Sequence, residues 1–430
     1  MINILFTKSK SFKQQLSKYL DSRKPNKESK IKVVKKIISD VKKNKDRSLF
    51  KYEKKFNRLK KININDLFFS KSEIDKIIKR LDNKTKNSIN IAFKRIYNFH
   101  KNQKFKDFKV SDNYKNFLSY RSMPLESVGV YVPGGAANYP SSVLMNCIPA
   151  IVAGVKKIYL TVPCIGKKVN PGVLYAAKKC KVEEIYKLGG AQAIAAFTYG
   201  TQTVKQVDKI VGPGNEYVAL AKKEVFGEVG IDMFAGPSEV TIIADKYSNP
   251  DWIAADLIAQ AEHDEMSQSI LLTDNKQTIY NVRQALKSQI KFLPKKIIAT
   301  KSLKKFGIAI LAKNLNEISN ITNKIAPEHL EILTSNPKKY LKKINNAGSI
   351  FLGKYSPEAM GDYLAGPNHV LPTSGTAKFS SGLSAYDFLK RQSLIKISKS
   401  GIERLGSSVI NLAEYENLQG HANSIKIRIK

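Results

Sequence analysis

Hydrophobic and polar positions change their period along this 430-residue chain, and the changes divide it. Through roughly the first 125 residues, apolar side chains recur every three or four positions in a polar, lysine-rich background, as in SFKQQLSKYL and IKVVKKIISDV. That spacing predicts amphipathic helices. From Ser127 to about Phe234, short β-branched runs (SVGVYVP, KIYLTVP, DKIVGPG) alternate with helical stretches rich in Ala and Lys (PGVLYAAKKC, NEYVALAKKEVFG). A second alternation begins at EVTIIAD, passes through DWIAADLIAQAEHD and continues with SQSILLTD and FGIAILAK. Strand–helix alternation predicts βαβ units and parallel sheets. The final fifty residues, with SAYDFLKR and LAEYENLQGHANSI, read as a separate helical tail. No repeat of solenoid type is present.

Glycine punctuates the strand ends at VPGGAANYP, KLGGAQA and VGPGN. Turns of this kind, opening onto helix N-termini, are where open α/β sheets bind ligands, phosphates in particular. The GxGxxG fingerprint is absent: Gly212 and Gly214 begin it correctly, but Tyr217 stands where the third glycine belongs. A nucleotide pocket and ordinary strand–helix turns explain these segments equally well.

The stretch KIAPEHLEIL also supports two readings. Pro327 suits the first position of a helix, Ala326, Leu330 and Leu333 recur at helical spacing, and Glu328 would complement the helix dipole. Alternatively Glu328 and His329 form an acid/base pair, with the positive end of that helix keeping the imidazole neutral, as a general base requires. Four of the five histidines share short segments with other reactive groups. Gln260 and His263 are three apart, which puts both on one helix face; Asp362 precedes His369 by seven residues, and Glu416 precedes His421 by five. His100, in IYNFHKNQ, has no such company and reads as a surface or structural residue. Taken singly, each of these segments is as well explained by hydrogen-bonded scaffold. Together with His329 they supply N and O ligands for one divalent metal, with no cysteine set competing.

Size and charge narrow the classes. The length implies two or more domains, and 42% hydrophobic residues suffice for ordinary cores. The N-terminus lacks the basic segment of a signal peptide. The longest apolar region, Val143 to Val155, contains Asn and Pro and falls well short of the roughly 20 residues of a membrane span. A soluble, cytoplasmic protein is expected. Cys147, Cys164 and Cys180 form no CxxC pair, and an odd number fits reduced thiols, each a small buried hydrophobe. The net charge of +37 is uneven: residues 1–126 carry 35 Lys/Arg against 12 Asp/Glu, a net of +23, and the remainder +14. Such a balance invites a nucleic-acid reading, but no RGG, zinc-knuckle or RNP-type motif accompanies it. Abundant Lys, Asn, Ile, Tyr and Phe also fit compositional drift toward A/T-rich codons, and no specific nucleic-acid partner is expected.

Eight ordered segments then carry a resemblance. YVPGGAANYPSSVLM, GGAQAIAA, DKIVGPGN, AGPSEV, AQAEHD, APEHLE, PEAMGDYLAGPNHVLPT and FSSGLSAYDF, closed by LAEYENLQGHA, resemble the segments of the histidinol dehydrogenases, from about Leu125 to the C-terminus. The resemblance implies oxidation of L-histidinol to L-histidine through L-histidinaldehyde, with two NAD+ and one Zn2+ per subunit. It implies zinc ligands at Gln260, His263 and Asp362, with His421 delivered from the other subunit of a homodimer. Glu328 and His329 match the catalytic pair, and Ser238, His369 and Glu416 match substrate-holding residues. Tyr131, Gln192 and Asn215 match contacts to NAD. The implied fold is α/β, with two incomplete Rossmann-like parallel-sheet domains and small helical N- and C-terminal domains in a domain-swapped dimer. The boundaries expected are a helical segment 1–25, a larger α/β domain from 26–130 and 238–378 with the catalytic and metal residues, an NAD-binding domain 131–237, and a helical domain 379–430 that reaches the partner's site. The chain departs from the family pattern with Phe234 for the usual Pro, Lys378 for Arg, Asn417 for Gly, and no Pro after Asp264. These departures touch turns and remove no implied ligand or catalytic group. The same fold acting on another amino alcohol, or an inactive RNA-associated relative, are the alternatives; intact Glu416, His369 and His421 favour an imidazole-bearing substrate.

Overall fold

The computed structural model describes residues 2–429 except 23–27, 58–61, 104–105, 135–138, 166–167 and 235. In chain order its strands are β1 (Asn3–Phe6), β2 (Lys109–Ser111), β3 (Phe117–Pro124), β4 (Ser127–Tyr131) and β5 (Lys157–Thr161). They continue as β6 (Glu184–Tyr186), β7 (Lys209–Val211), β8 (Gly230–Ile231), β9 (Glu239–Ala244) and β10 (Gln268–Thr273). The last are β11 (Gly307–Leu311), β12 (His329–Ile332), β13 (Ser349–Leu352) and β14 (Leu389–Lys396). Both alternating regions form parallel sheets, as their patterns predict. Five strands order as β6-β5-β4-β7-β8 and six as β1-β11-β10-β9-β12-β13. Successive side chains point to opposite faces of each strand, so each sheet has apolar packing on both sides. In the smaller sheet Val128, Val130, Ile158 and Leu160 face one cluster, and Tyr131, Tyr159 and Ile210 face the other. In the larger, Val240, Ile242 and Leu271 are separated in the same way from Ile243, Leu330 and Ile332.

Four expectations are corrected. The N-terminal segment is not wholly helical: Asn3–Phe6 adds an edge strand beside β11, and only then does the helix Phe12–Asp21 begin. The helices Glu28–Asn57 and Asn83–His100, expected with the larger domain, pack instead on the helices that flank the smaller sheet, Val34, Ile37, Val41 and Leu49 joining the cluster on one side and Ile89 and Ile96 that on the other. Lys109–Ser111 and Phe117–Pro124 are strands, in a region read as mostly helical. The tail also contributes β14, which pairs antiparallel with β3 along eight residues, from Leu389 opposite Pro124 to Lys396 opposite Phe117. β14 is exposed almost throughout, so burial leaves no apolar alternation in it to read. His100, which the sequence placed at the surface or in the scaffold, is fully buried, and its Nδ1 lies 2.7 Å from Gln103 Oε1. All three cysteines are buried and unpaired; burial pushes the Cys164 thiol up to about 12, which suits an inert filler rather than a nucleophile. Among the described residues no helix is long and apolar enough to cross a membrane.

Candidate active site

The KIAPEHLEIL stretch is a strand, not a helix start. The helix Leu315–Ile325 ends at Ala326, which takes a left-handed conformation (φ +49°), and His329 opens β12. β12 lies between β9 and β13, with His329 level with Val240 and Ser349. Leu330 and Ile332 fill the core on one face while His329 and Glu331 share the other. His329 therefore does not stand in the first turn of a helix. Burial is what lowers its pKa, to about 4, against the opposite pull of Asp362. The neutral imidazole expected from the sequence is reached by a different cause.

Its tautomer is set by the neighbouring strand. His329 Nδ1 lies 3.2 Å from the Glu239 carbonyl oxygen and donates to it, which leaves Nε2 as the lone-pair nitrogen. Nε2 is buried, has no hydrogen-bond partner and lies 3.8 Å from Asp362 Oδ1. Glu328 is buried beside it and accepts the Glu239 backbone N–H at 2.9 Å; burial raises its carboxyl well above the usual range. Glu358, absent from the sequence-derived set, also reaches His329, with Oε1 3.4 Å from Nδ1. The signal for it was present: Glu358 and Asp362 are four apart on the short helix Glu358–Tyr363, hence on one face. That helix lies close against β13 because residue 361 is glycine; a Cβ there would stand 2.6 Å from the Phe351 ring.

One ligand atom each from His263, Glu358 and Asp362 falls within 4.8 Å of the others. Gln260 stands in the last turn of the helix Pro250–Ala261, and His263 lies just past its cap rather than on its face. Both amide atoms of Gln260 are buried without a partner. His263, Glu358 and Asp362 could hold a divalent metal, with the unpaired buried amide of Gln260 a further candidate donor, and a cation would offset the cost of burying the acids. His369 Nδ1 donates to the Asp362 carbonyl at 2.9 Å, which leaves its own Nε2 as an acceptor. His329, Asp362 and His369 line a cavity of about 380 Å³ together with Phe351, Tyr355 and Asn368. Behind it Glu331 neighbours Asp256, and burial raises both acids, Asp256 to about 6. Ser238 immediately precedes β9 and gives its carbonyl to the Gln268 N–H. Glu416 and His421 are not part of this constellation; both are exposed on the tail. A larger groove of about 620 Å³ at the opposite, N-terminal edge of the smaller sheet, lined by Lys157, Lys205, Asp208 and Glu228, has no acid/base set.

The glycine turns meet around Tyr131, the last residue of β4. Its hydroxyl accepts the Gly190 N–H at 3.1 Å, and burial pushes its pKa up to about 12. Gln192 is buried and donates from Nε2 to the buried Glu53 at 2.9 Å. Asn215 caps the helix Glu216–Val225, its Oδ1 accepting from Tyr217 and Val218. Gly212 has φ +109° and passes so close under Tyr131 that a Cβ would stand 2.1 Å from its carbonyl oxygen. The buried pair Lys222–Asp232 takes both polar groups of Gly212, Lys222 donating to its carbonyl and Asp232 accepting its N–H. Gly212→Ala is therefore expected to lower unfolding free energy by ~1–3 kcal/mol, the cost of a strained backbone conformation, measured by denaturant titration. In the VPGGAANYP and AGPSEV segments, residues 135–138 and 235 lie outside the described residues. Asn417, in place of the family's Gly, has φ +61°, a conformation Asn tolerates better than most residues.

The family model for histidinol dehydrogenase matches residues 20–429. A histidinol dehydrogenase of Pelagibacter ubique is 54% identical over 432 aligned residues, covering all of both chains. One from Clostridium acetobutylicum is 48% identical over 401, covering 93% of this chain and 92% of its own. The crystal structure of the Elizabethkingia anophelis histidinol dehydrogenase superposes with a TM-score of 0.92 at 36% identity, covering all of this chain and 98% of the other.

Proposed function

This chain belongs to the histidinol dehydrogenase family, and from that premise we propose that it converts L-histidinol to L-histidine through L-histidinaldehyde, consuming two NAD+ and one water and releasing two NADH and three protons. The observation that carries the reading is His329 Nε2, a buried, neutral and unpaired nitrogen beside Asp362, with a second proton acceptor, Glu328, next in sequence.

In this proposal Gln260, His263 and Asp362 hold Zn2+, with His421 supplied by a second copy of the chain. When bound, the ion supplies positive charge that takes the amine and imidazole of the substrate as ligands and so fixes the alcohol carbon. His369, Ser238 and Glu416 of the second copy orient the remainder of the substrate, and Tyr131, Gln192 and Asn215 hold the dinucleotide. His329 Nε2 takes the hydroxyl proton as hydride leaves the same carbon for NAD+. The aldehyde has no proton to give until water adds. Glu328 takes a proton from that water, and its raised pKa makes it the stronger base once ionised. His329 returns its first proton to the aldehyde oxygen as water adds, and then takes a hydroxyl proton from the hydrate as the second hydride leaves. The involvement of a second copy is supported by Leu405, Val409 and Leu412, an exposed apolar row at helical spacing on Lys399–Tyr415.

The test is to follow NADH against histidine formed from L-histidinol, with the protein as purified, stripped by a chelator, and restored with zinc. Two NADH per histidine, lost on stripping and regained with zinc, is the expected result. Absence of histidinol-dependent NADH from folded, zinc-loaded protein would reject the proposal.

A further inference from the structure

Two acids behind the cavity take no part in the chemistry above. Glu331 is fully buried on β12, two residues beyond His329 and on the same face. Its Oε1 accepts the backbone N–H of Glu358 at 2.6 Å, where the helix Glu358–Tyr363 begins. Burial and the charge of the neighbouring Asp256 keep the Glu331 carboxyl protonated and so able to donate to Asp256, which lies on the helix Pro250–Ala261 one turn ahead of Gln260. Three separate elements carry His329, Gln260 and Asp362, and Glu331 is the side chain of the strand that meets both helices.

We propose that Glu331, seconded by Asp256, is the positioning residue of the metal site, setting the separation of Gln260 from Asp362 by tying both their helices to β12. The inference rests on the metal reading above. It follows from the architecture: Asp362 sits on a helix of only six residues, whose place is set by its ends, and Gln260 sits in the last turn of its helix, where the backbone frays. Outer partners that orient metal ligands affect affinity without touching the ion.

The test is a zinc titration of the chelator-stripped full-length chain against a competing indicator, with far-UV circular dichroism and a melt for each variant. Glu331→Ala loses both contacts and should bind zinc about 10–100-fold more weakly. Glu331→Gln should bind much as the unaltered chain does, because its amide oxygen still accepts from Glu358 and its NH2 donates to Asp256. Asp256→Ala loses one contact at a half-buried position, where folding is less at risk, and should weaken binding by about tenfold. Unchanged affinity in Asp256→Ala and in whichever Glu331 variants fold would overturn the proposal. So would a Gln variant as weak as the Ala variant, since charge rather than the two contacts would then matter. An unaltered chain that binds no zinc would overturn the metal reading itself, and this inference with it.

Discussion

His329→Asn is expected to lower histidinol turnover by ~10²–10⁴-fold, the range that general acid–base assistance supplies, with little change in zinc content or NAD+ affinity. Asn can still donate to the Glu239 carbonyl as Nδ1 does, so the local fold is kept while the basic Nε2 disappears. Steady-state and single-turnover kinetics separate the cases: the loss belongs in the hydride step, with KM little altered. A comparable loss in zinc affinity would instead make His329 a structural support. The same substitution changes acid stability. The folded state holds the imidazole at about 4, below its ordinary 6.5, so between these values the unfolded chain binds the extra proton. His329 thus contributes stability that is complete above 6.5 and lost as pH falls through about 4. His329→Asn removes that dependence, and its unfolding free energy should fall less steeply between pH 6.5 and 4 in denaturant titrations at stepped pH.

How far the sequence could be read depended on burial. Both parallel sheets were legible because their strands are apolar and β-branched, and the glycine turns after β4, β6 and β7 were legible because backbone geometry demands glycine, as at Gly212. β14 and β3 were not: LKRQSLIK and FLSYRSMP have little burial on either face, and their partners lie some 270 residues apart, so neither period nor proximity marks them. The acid/base pair was found by its composition but placed on the wrong element. In PEHLEIL the apolar positions fit periods of 3.6 and 2 alike, and the strand is buried on both faces, which removes the polar side that would have decided between them.

The carboxyls around His329 show a further limit. Glu328 stood out because it adjoins a histidine. Glu331, Glu358 and Asp256 looked like ordinary charges at helical or strand spacing, and only the fold turns them inward together. A solvated acid and a buried one are the same letter. The tail has the opposite problem, since Glu416 and His421 are marked by the family resemblance yet exposed within one chain.

Glu328→Gln is expected to separate the two oxidations. Gln keeps an acceptor for the Glu239 N–H, so the turn into β12 is preserved, but it cannot take a proton from water. The first oxidation needs no water and should continue. Histidine formation should fall by ~10²–10⁴-fold, so that a single turnover yields close to one NADH rather than two, with aldehyde trapped by semicarbazide. Reduction of L-histidinaldehyde by NADH, the reverse of the first step, should survive, because it draws on His329 and not on Glu328. Equal losses in aldehyde reduction and in histidine formation would place Glu328 in the support of His329, 3.7 Å from its Nδ1, instead of in the activation of water. The outcome distinguishes a site in which two adjoining side chains divide the proton transfers from one in which a single histidine performs them all.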